Sequence, residues 1–185
     1  MTNVYLFDLD GTIIDPSIYH EIYDDVLSTI QQKQELSLVQ IELEATNAGI
    51  RKNSKGRFDT AQLCKHFDLI EEYYDILGPK ITTTDLANKE IIARMNKAVV
   101  AGKKIGIVSN SFTRTILLYI KRYKLPVDFI FSAEEAGYPK SDIRFWRQLI
   151  KVHRLSIDCL VIGNDPIDDI KVPEKVGFKG ELVTS

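Results

Sequence analysis

An apolar run, Val4 to Phe7, stops abruptly at Asp8-Leu9-Asp10-Gly11-Thr12. The run reads as a buried strand, and two carboxylates stand where it finishes. Residues i and i+2 on an extended chain point to the same side. Asp8 and Asp10 are therefore expected to project together from one strand end, with Gly11 letting the backbone turn. Two like charges this close repel unless a cation or a proton is shared between them. A hard cation with oxygen ligands, most naturally Mg²⁺, meets that need. The plain alternative is an acidic turn, since Asp and Gly are ordinary turn residues.

Four more short apolar runs read as strands: Ile105–Ser109, Phe129–Phe131, Cys159–Ile162 and Glu181–Val183. Helical patterns separate them, over Asn88–Val100, Thr113–Lys124, Ile143–His153 and a shorter Asp169–Val176 with Pro173 in its first turn. Strands alternating with helices imply an α/β fold, a Rossmann-like parallel sheet with helices on both faces. In such sheets, sites form at the carboxyl ends of the strands. Between the first strand and the helix before the second lies a long stretch of helical character, at Ser17–Gln34, Leu36–Ala48 and parts of Thr60–Leu77. The expected organisation is an α/β core, residues 1–15 and 82–185, interrupted by an inserted α-helical cap, residues 16–81. Pro16 and Thr82–Thr84 are the candidate hinges.

Composition excludes several classes of function. A net charge of −2 gives no global drive toward nucleic acid or anionic membrane. No apolar run approaches the ~18 residues of a membrane span. The N-terminus opens into a strand rather than a signal region, so a cytoplasmic location is expected. Cys64 and Cys159 match no metal or redox spacing, and His20, His66 and His153 show no ligand-like pairing. No nucleic-acid and no membrane partner is expected, for a monomer or homodimer.

Three further strand ends carry polar signatures. The second ends at Ser109-Asn110-Ser111, where a hydroxyl and the following amides can hold phosphate oxygens, or Ser109 or Ser111 can cap the next helix. After the third, Lys140 sits in a Gly/Pro loop, either solvated or as a fixed ammonium beside a phosphate. The fourth ends at Gly163-Asn164-Asp165-Pro166, followed by Asp168-Asp169. Asn164 or Asp165 could complete a metal site with Asp8, or the segment is an acidic capping turn.

Taken together these segments resemble the haloacid dehalogenase (HAD) superfamily. Asp8-Leu-Asp10-Gly11-Thr12 matches its first signature, Ser109-Asn110 its second, Glu134 through Lys140-Ser-Asp142 its third, and Gly163-Asn-Asp-Pro-x-x-Asp169 its acidic fourth. The position and helical character of the cap resemble the phosphoglycolate phosphatase and β-phosphoglucomutase branch. Two positions depart from the pattern. Asn164 stands where the fourth signature has Asp, and Ser141 where the third often has Pro. A neutral ligand at Asn164 would weaken Mg²⁺ binding.

The resemblance implies a Mg²⁺-dependent phosphatase acting on a small phosphorylated metabolite through an aspartyl-phosphate, with Asp8 as nucleophile and Asp10 as general acid and base. Asp8, the Asp10 carbonyl and Asn164 or Asp165 would hold the metal. Ser109, Asn110, Lys140 and Thr12 would bind phosphate or brace its loop. Asp169 would orient Lys140, a role that Asp168 could exchange with it. A phosphomutase, or a silent scaffold that binds a metabolite or protein, is the alternative. Within the cap, Arg51, Lys52, Lys55 and Arg57 form a basic break. Either Arg51 and Lys55 reach an anionic leaving group, or the loop is simply solvated.

Overall fold

The computed structural model describes residues 3–50, 52, 53 and 55–183. In chain order the elements are β1 (Val4–Phe7), α1 (Ile18–Glu21), α2 (Tyr23–Gln34), α3 (Leu38–Asn47), α4 (Thr60–His66), α5 (Ile70–Thr83) and α6 (Lys89–Val100). There follow β2 (Lys104–Ser109), α7 (Thr113–Tyr123), β3 (Phe129–Ser132), α8 (Ala133–Ala136), α9 (Ile143–His153) and β4 (Cys159–Gly163). A π-helical turn (Pro166–Lys171), α10 (Val172–Glu174) and β5 (Lys179–Leu182) complete the chain. Two compact units result, Met1–Pro16 with Leu86–Ser185, and Ser17–Asp85.

In the first unit the described strands form one all-parallel sheet in the order β3-β2-β1-β4-β5. The register aligns Phe7 with Ile107 on one side and Ile162 on the other. Asp8, Ser109 and Gly163 therefore fall within a residue of one line at the carboxyl edge. Alternation sorts the strand side chains. Val4, Leu6, Val108, Phe131, Cys159 and Val161 share one core with Phe145, Trp146 and Leu149 of α9. The Val, Leu and Phe side chains among them each contribute about 1.5–3 kcal/mol on burial. Gly106 leaves the slot that the Phe129 ring fills, since a Cβ there would lie 2.5 Å from it.

Helix starts in this unit follow side-chain caps. Asn88 accepts from Ile91 N–H at the head of α6, and Asp142 from Arg144 N–H at the head of α9. Helix α7 begins after Phe112 with no side-chain cap, so neither Ser109 nor Ser111 caps it. The fourth segment turns helical earlier than its pattern suggested. Asp165 accepts from both Ile167 and Asp168 N–H, and Pro166 opens the π-helical turn ahead of Asp169. Strand β5 likewise begins two residues before Glu181, at Lys179. Gly180 allows this by letting the strand press on Ile170, which a Cβ would meet at 2.8 Å.

The second unit is helical, and its core includes Val26, Ile30, Ile41, Leu63, Tyr73, Leu77 and Ile81. The expected Ser17–Gln34 helix breaks at Ile22 into α1 and α2. Ser37 and Gln40 form a capping box that starts α3 at Leu38. Helix α5 runs through Thr82 and Thr83, part of the candidate hinge, because both hydroxyls donate to the Pro79 carbonyl and continue the turn. Cys64 here and Cys159 in the sheet are free and buried, and burial pushes their thiols up to about 12 and about 11. Such thiols are inert. No described helix is long and apolar enough to cross a membrane.

Candidate active site

The loop after β1 is closed by its own backbone. Ile13 and Ile14 N–H both donate to the Leu9 carbonyl at 2.9 Å, and Gly11 N–H donates to the Ile14 carbonyl at 2.7 Å. Gly11 adopts φ +86°, where a side chain is strained. A Cβ at Gly11 would also lie 2.3 Å from Asn164 Nδ2. The fourth strand end is thus packed directly against the Asp10–Gly11 turn through Asn164.

Asp8 is buried beside the carboxyl end of β1, at 6% exposure. It pairs with the Lys140 ammonium and accepts from the Thr12 hydroxyl at 3.2 Å. Lys140 is as deeply enclosed, at 2% exposure, so it is no solvated loop lysine. Asp169 Oδ1 lies 2.5 Å from the same ammonium. The Trp146 indole N–H donates to the Lys140 carbonyl at 2.8 Å, and Asn110 Oδ1 accepts from Lys140 N–H at 2.8 Å. Backbone and side chain of Lys140 are therefore both fixed. Burial alone would lower the Lys140 pKa, but Asp8 and Asp169 outweigh it and hold the ammonium charged. Burial is also the chief influence on Asp8. With help from Asp169 and Asp10 it overcomes Lys140 and pushes the carboxyl up to about 7.

The two adjacent aspartates of the fourth segment divide their roles. Asp169, fully buried, holds Lys140 and accepts from Asp165 N–H at 2.9 Å. Asp168 accepts from Asn110 Nδ2 at 3.1 Å. The Asn110 side chain is thereby spent on bracing the Lys140 loop and Asp168. Ser109 Oγ accepts from Ser111 N–H at 3.0 Å, which leaves its own O–H to donate. Ser111 Oγ in turn donates to Asp10 Oδ2 at 2.6 Å.

Asp8, Asp10, Ser109, Asn110, Lys140, Asn164, Asp165, Asp168 and Asp169 line one cleft of about 220 Å³. That is below the roughly 300–1,000 Å³ of a drug-sized pocket and suits a small polar group. Its donors are oxygen-rich and lack His and Cys, which fits a hard divalent cation rather than a soft one. Among the described residues, no three carboxylate, imidazole or thiolate side chains cluster as a metal cage. Asn164 and Asp165, the two candidate partners of Asp8 for a cation, both line the cleft with it. Asp165 spends Oδ1 on the amides of Ile167 and Asp168.

Of the basic break in the helical unit, Arg51 lies outside the described residues. Lys52 pairs with Glu42 at 3.1 Å, and Arg57 donates to the His20 carbonyl at 3.0 Å and lies over the Tyr23 ring. Lys55 is exposed, and its backbone N–H donates to Asn53.

Ser111 and Trp146 were not legible as site residues. Trp146 reads as one more apolar residue on α9, and Ser111 as a cap. Gly163 is a third. Its absent Cβ leaves the space that the Asp169 carboxylate occupies, 2.2 Å from where that atom would stand. Gly163→Ala is expected to drive Asp169 off Lys140 and to destabilise the protein by about 2–4 kcal/mol. A lower denaturant midpoint at unchanged slope would show it. An unshifted midpoint would mean that Asp169 does not need that space.

The sequence matches the haloacid dehalogenase-like hydrolase family over residues 2–177, and the chain belongs to that family. A search of curated proteins by sequence found no significant match. Among solved structures, a HAD phosphatase from Thermococcus onnurineus is 19% identical with a TM-score of 0.77, covering 98% of this chain and 86% of that one. The HAD-hydrolase YfnB from Bacillus subtilis, bound to magnesium, is 18% identical with a TM-score of 0.62, covering 97% and 87%. CbbY from Rhodobacter sphaeroides, in complex with xylulose-(1,5)bisphosphate, is 9% identical with a TM-score of 0.71, covering 100% and 87%. L-2-haloacid dehalogenases share the fold as well. At these identities the likeness is one of fold, and the chemistry must be argued from the cleft.

Proposed function

We propose that this protein is a Mg²⁺-dependent phosphatase that hydrolyses a small phosphate monoester through an aspartyl-phosphate on Asp8. The observation that carries this reading is the pairing of two differently held carboxylates at one strand end. Asp8 is fixed against Lys140, and Asp10 lines the same cleft with its carboxyl accepting from Ser111. A halide leaving group departs without a proton and gives Asp10 nothing to do. An alcohol leaving group needs an acid.

In the first step an Asp8 oxygen forms a bond to phosphorus as the bond from phosphorus to the leaving oxygen breaks. Asp10, protonated, gives its proton to that oxygen. In the second step Asp10, now a carboxylate, takes a proton from water as the water oxygen attacks phosphorus and the Asp8–phosphorus bond breaks. Lys140 and the Ser109 hydroxyl hold the phosphoryl oxygens through both steps, joined by the backbone amides of Leu9 and Asn110. Mg²⁺, held by Asp8, the Asp10 carbonyl and Asn164, would supply positive charge that favours ionised Asp8 and offsets the phosphoryl charge. The helical unit, residues 17–85, is assigned as the cap that selects the leaving group.

Phosphate release from a panel of phosphorylated metabolites, with and without Mg²⁺, tests the proposal. Release that needs Mg²⁺ and disappears in Asp8→Asn supports it. No release from any substrate would overturn it in favour of a mutase or a silent binder.

Asn164 gives a second test. A neutral amide in place of a carboxylate removes one unit charge beside the cation. Asn164→Asp is expected to lower the Mg²⁺ concentration for half-saturation about tenfold, read by titration calorimetry. Unchanged affinity would place Asn164 outside the metal's ligands.

A further inference from the structure

We propose that Ser111 is a positioning residue for the general acid, orienting the Asp10 carboxyl so that it can pass a proton to the leaving oxygen. The inference rests on the phosphatase reading and concerns a residue that touches neither phosphate nor metal in it. The backbone around Asp10 is already rigid, because Gly11, Ile13 and Ile14 close the loop on Leu9 and Ile14. The Asp10 side chain needs holders of its own, and Ser111 is one of them. Ser111 Oγ donates to Asp10 Oδ2 at 2.6 Å, across 101 residues of sequence.

Ser111 is itself well anchored. Its backbone N–H donates to Ser109 Oγ at 3.0 Å, so the hydroxyl that faces the phosphoryl group and the one that holds the acid are set by a single turn after β2. Ser111 does not cap α7, where Phe112 takes that position without a side-chain bond. Its hydroxyl is therefore directed at Asp10 and not at the helix. The turn couples two tasks that must stay in register, gripping the phosphoryl oxygens and protonating the oxygen that leaves. A general acid is worth about 10²–10⁴ in rate only when its proton is within reach of the acceptor, and a misplacement of an ångström is enough to lose much of that.

The test is the dependence of the first chemical step, measured in a single turnover, on the leaving group. A phenyl phosphate with a nitro group leaves well without a proton, whereas an alkyl phosphate does not. Read in the first turnover, before the base step on water that all substrates share, Ser111→Ala is expected to slow alcohol release from an alkyl phosphate about tenfold or more and to leave the burst of p-nitrophenol within about twofold. Ser111→Thr, which keeps the hydroxyl, should restore the alkyl rate. Asp10→Asn should show the same selective loss in stronger form, and adding Ser111→Ala to it should change nothing more. Equal losses on both substrates in Ser111→Ala, or further loss in the double variant, would overturn the inference while Asp10→Asn still upheld the acid. No leaving-group dependence in Asp10→Asn would instead overturn the general-acid reading on which the inference stands.

Discussion

Asp8→Asn is expected to cut Mg²⁺-dependent phosphate release by about 10³-fold or more and, at the same time, to make the protein harder to unfold at pH 8. The loss of rate follows from the missing nucleophile, since an amide oxygen attacks phosphorus poorly and cannot form the acyl phosphate. The gain in stability follows from linkage. Unfolded, Asp8 ionises near 3.8, and in the folded protein burial first of all holds its proton to about 7. Between those values the unfolded state sheds a proton that the folded state keeps. The wild-type fold therefore loses stability as pH rises from about 4 to 7 and recovers none above. The amide that replaces the carboxyl has no such proton to lose. The melting temperature of the variant should exceed that of wild type by a few degrees at pH 8 without divalent cation, and the gap should narrow toward pH 5. Added Mg²⁺ should narrow it too, because it stabilises the form that binds it. A variant that melts below wild type at pH 8 would show that Asp8 is needed to balance Lys140 and Asp169.

Lys140→Met carries the second large effect. The ammonium sits between Asp8 and Asp169 and is enclosed with them. Its removal leaves two buried carboxylates without a cation, a change that typically destabilises by about 3–5 kcal/mol. Turnover should fall by at least about 10³-fold, since the group that neutralises the phosphoryl oxygens is gone. Without Lys140, Asp8 holds its proton to still higher pH, so the destabilisation should be smaller at pH 5 than at pH 8. Adding Asp169→Asn should return much of the stability and none of the activity. Denaturant titrations at both pH values check this. An equal loss at both would mean that lost packing of the lysine stem, rather than uncompensated charge, is responsible.

The fold was legible from the sequence because parallel sheets buried on both faces leave unbroken apolar runs. Val4–Phe7 and Cys159–Ile162 both read as such. Their polar ends pointed to the carboxyl edge for the same reason, since Asp8, Ser109 and Asn164 each follow such a run. Lys140 was legible only through resemblance, because no periodicity announces that a loop lysine will be enclosed. Its burial depends on Trp146, Asn110 and Asp169, which are distant in sequence and come together only in the fold. The division of labour between Asp168 and Asp169 was equally hidden. It is decided by a π-helical turn that Asp165 starts with two side-chain bonds, and no spacing rule distinguishes that from an ordinary helix. The Asp10–Ser111 bond spans two strand ends, and the serine's neighbours gave it a helix-capping role that it does not have.

The central place of β1 has a consequence for how the chain is made. Its neighbours are β2, from Lys104, and β4, from Cys159. During synthesis the helical unit, Ser17–Asp85, emerges whole before β1 has any strand to pair with. Sequence-distant parallel pairing is slow to form. Val-Tyr-Leu-Phe thus waits as an unpaired apolar segment of the kind that nucleates aggregation, and charged residues beside such segments act as gatekeepers. Asp8 and Asp10 stand at its end. The carboxylates of the cleft thereby shield the nascent strand from other chains long before there is a cleft for them to serve.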